Sequence, residues 1–195
     1  ALNNSPNYDI YIGIDVHQQC IGFSFFYRKG EVIKLERKEI PKPPSKTRDE
    51  KIKEKDIYDI IYPILKRHIP RYCTNPNAII IGRDGCSHDE KHALVKTIQQ
   101  LAKDGIITNP QLPCAVFDLH KQSQIPYRVG EYDVNHGQYR TPMAGTYRLF
   151  GRDKEQAFLF STGFPFQIRG SAKPLHFTLA FQQGDIIFEK ILEDM

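Results

Sequence analysis

The chain has 195 residues, of which 40% are hydrophobic and 26% charged, enough for one domain with its own core and unlike a disordered chain, a fibrous repeat or a many-domain machine. Its 27 Lys and Arg against 23 Asp and Glu leave a net charge of +4, which permits a nucleic-acid partner without demanding one. No apolar run approaches the ~18 residues of a membrane span and Ala1 to Asp9 are polar, so a soluble, cytoplasmic protein with no membrane partner is expected.

The first forty residues read as three strands. Ile12, Ile14 and Val16 alternate between Tyr11 and His17, Cys20 to Tyr27 is rich in Phe and Ile, and Glu31 to Ile40 alternates from Val32 onward. Their connections are too short for crossover helices, which predicts an antiparallel meander. Pro41-Lys42-Pro43-Pro44-Ser45-Lys46-Thr47-Arg48 can form neither helix interior nor central strand and is expected to be an exposed basic loop. Ile57, Ile60, Ile61, Ile64, Leu65 and His68 then recur at helical spacing, with Pro63 inside the helix and Pro70 predicted to end it.

Ala78 to Ile81 is wholly apolar, the pattern of a strand buried on both faces and parallel to a neighbour. After Gly82-Arg83-Asp84-Gly85, Ser87 and Glu90 are spaced as a capping box. They open a helix with the stripe Leu94, Val95, Ile98 and Leu101, which stops at Gly105. Further strands are predicted at Pro113 to Leu119, in a hairpin of Thr146 to Phe150 with Ala157 to Thr162, and at Pro174 to Phe181. Lys121 to Thr141 is read as irregular. A helix begins near Asp185 and has no stop signal before Met195, so it is expected to be cut rather than finished. The four cysteines are widely spaced and form no Cys-x-x-Cys pair, which favours reduced thiols over a zinc site or a disulfide framework.

Two aspartates stand out. Asp15 lies inside an apolar strand, where an ion is costly to bury without a hydrogen-bond network or a metal to pair with it. Asp84 stands at the end of a buried strand just before a helix, where open sheets place their ligands, although an Asp before Gly also serves as a plain turn cap. Two carboxylates on neighbouring strands are what divalent metal ions require, since they offer hard oxygen ligands at close range.

Together with the order of meander, helix, buried strand and helix, these residues resemble the ribonuclease H-like fold, and more closely the PIWI domain of a prokaryotic-type Argonaute. Gly13-Ile14-Asp15-Val16-His17 is similar to that family's first catalytic motif and Arg83-Asp84-Gly85 to its second. Asp49-Glu50-Lys51-Ile52, followed by the helix bearing Tyr58-Asp59-Ile60-Ile61, resembles the segment that carries a mobile glutamate. Arg169-Gly170-Ser171-Ala172-Lys173-Pro174-Leu175 looks like the family's Gly-Thr/Ser-x-x-Pro strand entry. On this resemblance residues 1–10 are a flank and residues 11–195 a PIWI domain truncated at its C-terminus.

The resemblance implies cleavage of a target strand paired to a guide nucleic acid, within a complete Argonaute whose other domains this chain lacks. The implied cofactors are two Mg²⁺ or Mn²⁺ ions. Asp15, Glu50 and Asp84 are the implied catalytic residues, with Asp15 and Asp84 as metal ligands and Glu50 preferred to Glu54. The family's fourth ligand falls beyond Met195; His176 is not at a position the family uses, and His17, His88 and His92 are read as structural or solvent-facing. Lys121, Arg128, Arg169 and Lys173 are the implied contacts to the nucleic-acid backbone, which would give salt-sensitive, sequence-tolerant binding. Because it carries three of four catalytic positions, the fragment alone is expected to be a poor nuclease. Three alternatives stay open: a non-cleaving guide-binding module of the same fold, another ribonuclease H-like nuclease such as a transposase, and an actin-like ATPase. The last is disfavoured by His17, where that family needs Gly.

Overall fold

The computed structural model describes residues 6–17, 20–27, 31–39, 52–85, 87, 90–121, 131–161 and 173–195. Strands β1 (Ile10–His17), β2 (Cys20–Tyr27) and β3 (Glu31–Glu39) come first, followed by helix α1 (Glu54–Tyr72), strand β4 (Ile79–Asp84) and helix α2 (Glu90–Lys103). Then come β5 (Cys114–His120), the short pair β6 (Glu131–Asp133) and β7 (Gln138–Arg140), β8 (Tyr147–Phe150), β9 (Gln156–Leu159), β10 (Leu175–Gln183) and α3 (Phe188–Glu193).

Among the described residues eight strands form one sheet in the order β3-β2-β1-β4-β5-β10-β9-β8. The predicted meander is present: β1 pairs antiparallel with β2, and β2 with β3. Strand β4 lies parallel between β1 and β5, so Ile79, Ile80 and Ile81 are all buried, as a strand covered on both faces requires. The β10, β9 and β8 pairings are antiparallel.

Because side chains alternate along a strand, each central strand feeds two separate cores. Ile10, Ile12 and Ile14 of β1, Ile79 and Ile81 of β4, and Cys114 and Val116 of β5 pack with the inner faces of α1 (Ile57, Ile61, Leu65) and α2 (Leu94, Ile98, Leu101). On the other face Ile80, Ala115, Phe117, Leu159 and Phe177 pack with Phe188, Ile191 and Leu192 of α3. Asp194 ties this short helix to the start of the chain, accepting hydrogen bonds from the Asn7 and Tyr8 backbone N–H groups and from the Tyr11 hydroxyl. No helix among the described residues is long and apolar enough to cross a membrane.

Three details differ from the sequence reading. Helix α1 runs through Pro70 to Tyr72. A proline in the last turn forfeits one N–H bond, while Ile69 stays buried and its carbonyl still accepts from Cys73 N–H at 2.8 Å. The stretch read as irregular contains the β6–β7 ribbon. Its turn is held by the Asp133 side chain, which accepts from Asn135 N–H, and by Gly137 at φ 63°. Three-residue strands are too short to show alternation. Finally, Ser87 and Glu90 do not form a reciprocal capping box: Ser87 N–H donates to Asp118 at 2.8 Å, and the Glu90 carboxylate turns back to Arg83.

Candidate active site

The candidate site forms where β1 and β4 end side by side. Their parallel register pairs Gly13 with Gly82 and Ile14 with Arg83, so the next residue on each strand is an aspartate, Asp15 on one and Asp84 on the other. Alternation sends Gly13, Asp15, Gly82 and Asp84 to the face opposite α1 and α2. On that face they line an open cavity of about 680 Å³ with Ser24, Phe117, Leu119, Leu175 and Phe177. Asp15 is exposed there, contrary to the expectation of a buried carboxylate, because alternation turns it to the cavity and away from α1 and α2. The glycines keep the floor low: a Cβ on Gly82 would lie 2.5 Å from the Phe117 ring.

The turn bearing Asp84 is pinned from the helix side. Arg83 points the other way from Asp84 and is fully buried, with Nε 3.2 Å from Glu90 Oε1 and Nη1 donating to the Asp84 carbonyl at 2.6 Å. Gly85 takes φ 99°, a conformation that suits a residue without Cβ, and its N–H donates to Leu119 O at 2.9 Å. The three residues of the Arg-Asp-Gly motif therefore divide the physical work into a buried anchor, a presented carboxylate and a left-handed turn. Burial pushes the Glu90 carboxyl up to about 7, against the pull of the Arg83 guanidinium, which lowers it.

Lys121 follows β5 and shares the face of Phe117 and Leu119. Its Nζ lies 2.5 Å from Asp84 Oδ2. The hydrogen bond to Asp84 raises the ammonium pKa, and the charges of Asp84 and Asp15 add to the rise, while partial burial opposes it. A cation thus already sits against the acidic pair, and the donor set, two hard-oxygen carboxylates, suits Mg²⁺ or Mn²⁺ in its chemistry. Among the described residues no group of three or more His, Cys, Asp or Glu is placed to hold a metal ion.

Of the residues singled out in the sequence, Asp15, Asp84 and Lys121 come together. Lys173 is exposed just before β10. Glu50, Arg128 and Arg169 lie outside the described residues. His176 occupies the opposite side of β10 from Phe177, stacked on Phe150 and tilted against Phe158, with Nε2 3.1 Å from Gln156 Oε1. Burial, and then the neighbouring His120, hold its pKa below the usual histidine range, in keeping with a packing role. Sequence reasoning missed the anchoring by Arg83 and Glu90. The available signal was an Arg inside an otherwise apolar buried strand, which needs a nearby acid.

This architecture has known counterparts. The structure of Clostridium butyricum Argonaute bound to a guide DNA and a 19-mer target DNA superposes with a TM-score of 0.63 at 20% identity, covering 97% of this chain and 23% of that one. Marinitoga piezophila Argonaute in complex with a 5′ OH guide RNA and target DNA gives a TM-score of 0.61 at 13% identity, covering 95% of this chain and 25% of that one. No protein-family model matches the sequence, and no curated protein does. The chain spans about a quarter of the length of the solved Argonautes it matches. It has a ribonuclease H-like fold, that of the PIWI region of prokaryotic Argonautes, over nearly its whole length.

Proposed function

We propose that this chain is the nuclease core of a nucleic-acid-guided endonuclease, cleaving a DNA or RNA strand paired to a guide by metal-assisted hydrolysis. The observation that carries the reading is the side-by-side ending of β1 and β4 in Asp15 and Asp84, on an open face of an Argonaute-like fold. Asp15 and Asp84 would hold Mg²⁺ or Mn²⁺, with Glu50 as the third acid. Bound there, such ions supply charge stabilisation at the phosphoryl oxygens and a more acidic water. The chain's own part is to fix the acids: the β1–β4 register sets their spacing, and Arg83 holds the Asp84 backbone against α2. Lys121, Arg128, Arg169 and Lys173 are proposed to meet backbone phosphates of the guide and its target, positioning the strands without reading bases.

The test is cleavage of a labelled strand paired to a guide by the parent protein in Mn²⁺ or Mg²⁺. Removing groups that merely orient metal ligands costs about 10- to 100-fold, so Asp15→Ala and Asp84→Ala should each lower the rate by more than about 100-fold. Cleavage unchanged in Asp84→Ala overturns the assignment. A second reading, a guide- and target-binding module that does not cut, is favoured by the hold of Lys121 on Asp84. It predicts guide-paired binding that weakens with salt, and no product with either metal.

A further inference from the structure

One oxygen of the Asp84 carboxylate is already taken. Lys121 Nζ sits 2.5 Å from Asp84 Oδ2, and Lys121 lines the same cavity as Asp15. A Mg²⁺-sized ion binds carboxylate oxygen at about 2.0–2.1 Å. An ion on that oxygen and an ammonium on the same oxygen would stand a few ångströms apart as like charges, so each weakens the other's hold on Asp84. The Lys121 side chain is 57% exposed and can swing away, whereas Asp84 is fixed by Arg83 from behind. Alternation makes the arrangement a property of the fold: Asp84 pairs with Leu119 across β4 and β5, and Lys121, two residues on, faces the same way.

We infer that Lys121 is a built-in competitor for the divalent cation, holding Asp84 in the metal-free protein and released from it when the ion binds. This rests on the metal site proposed above. It gives Lys121 a positioning role: it pairs with Asp84 and offsets one of the two carboxylate charges until a metal displaces it, and the displaced ammonium is then free for a phosphate.

The experiment is isothermal titration of the protein with Mn²⁺ at fixed ionic strength, comparing wild type with Lys121→Met, Lys121→Arg, Lys103→Met and Asp84→Ala. Lys103→Met controls for the loss of one positive charge, since Lys103 ends the 14-residue α2 that starts beside Arg83, about 20 Å along the axis. An ion pair this exposed contributes up to about 1 kcal/mol, so Lys121→Met should bind Mn²⁺ about two- to fivefold more tightly. Lys121→Arg should stay near wild type, Lys103→Met should change little, and Asp84→Ala should lose binding. If wild type binds through Asp84 but Lys121→Met binds equally or more weakly, or if Lys103→Met tightens binding as much, the competition is overturned and the metal site stands. Absence of Mn²⁺ binding in both wild type and Lys121→Met overturns the inference together with the site beneath it.

Discussion

On the helix side of the sheet Ile12, Ile14, Ile79, Ile81 and Val116 are each 2% exposed or less. On the reverse of the same three strands lie Gly13, Asp15, Gly82, Asp84, Leu119 and Lys121, around an open cavity. The two sets interleave residue by residue, so the division is made by strand alternation alone. The apolar set carries the stability and holds the backbone still. On the reverse Gly82 packs under Phe117, and Leu119 packs against the second core, while Asp15, Asp84 and Lys121 can present two carboxylates and an ammonium to whatever enters. Arg83 and Asp118 carry charge on the packed side, and the Arg83 guanidinium reaches the Asp84 carbonyl. The packed face is thus also the scaffold of the open one.

The sharpest way to break this division is through Arg83. It is fully buried and paired with Glu90, which is 2% exposed, so Arg83→Met leaves an acid inside α2's contact with the sheet. Breaking such a pair costs about 3–5 kcal/mol, to be read from urea unfolding at pH 8, whereas Arg83→Met with Glu90→Leu should recover most of the loss. The same pair predicts a pH dependence. The folded pKa of Glu90, about 7, is above the ordinary 4.5, so between those values the folded state keeps a proton that the unfolded chain has released. Its contribution is complete below pH 4.5 and is lost as pH rises through 7. Glu90→Gln should remove that fall. The wild-type-minus-variant curve isolates it from His68 and His176, whose pKa values burial lowers and whose slopes run the other way.

Much of this was legible in the sequence, and the reasons are local. The meander follows from strand-length alternation with connections too short for helices, and β4 from an apolar run that only a doubly covered strand tolerates. Asp15 and Asp84 were visible as carboxylates that such strands do not otherwise carry. The hold of Lys121 on Asp84 and of Glu90 on Arg83 was not, because both depend on which strand becomes the neighbour and in what register. Once β4 and β5 are known to pair Asp84 with Leu119, the position of Lys121 follows from counting by two. The β6–β7 ribbon escaped because its strands are three residues long and its turn is fixed by the Asp133 side chain rather than by an apolar pattern.

Adjacent positions on β4 sharpen the comparison further. Ile81→Ala empties space between the sheet and the two helices and should cost about 2–5 kcal/mol in urea unfolding. Gly82→Ala, one residue on, acts by the opposite physics. Its new Cβ would fall 2.5 Å from Phe117 Cζ and 3.0 Å from Cε2, and that ring is held by Phe177 at a centroid distance of 5.5 Å. Moving it costs about 1–3 kcal/mol and tilts the floor on which Asp84 stands, so metal binding should weaken with stability. Gly13, paired with Gly82 in the register, is the mild counterpart. There the added Cβ meets only the Ser24 hydroxyl, at 2.5 Å, which can rotate away at the expense of a 3.4 Å hydrogen bond to Gly13 O. Alanine also gains roughly 0.5–1 kcal/mol over glycine in a strand, which offsets that loss. Gly13→Ala should therefore unfold within about 0.5 kcal/mol of wild type. A large loss there would mean that the open face is packed as tightly as the helix side, and that the division between the two is wrong.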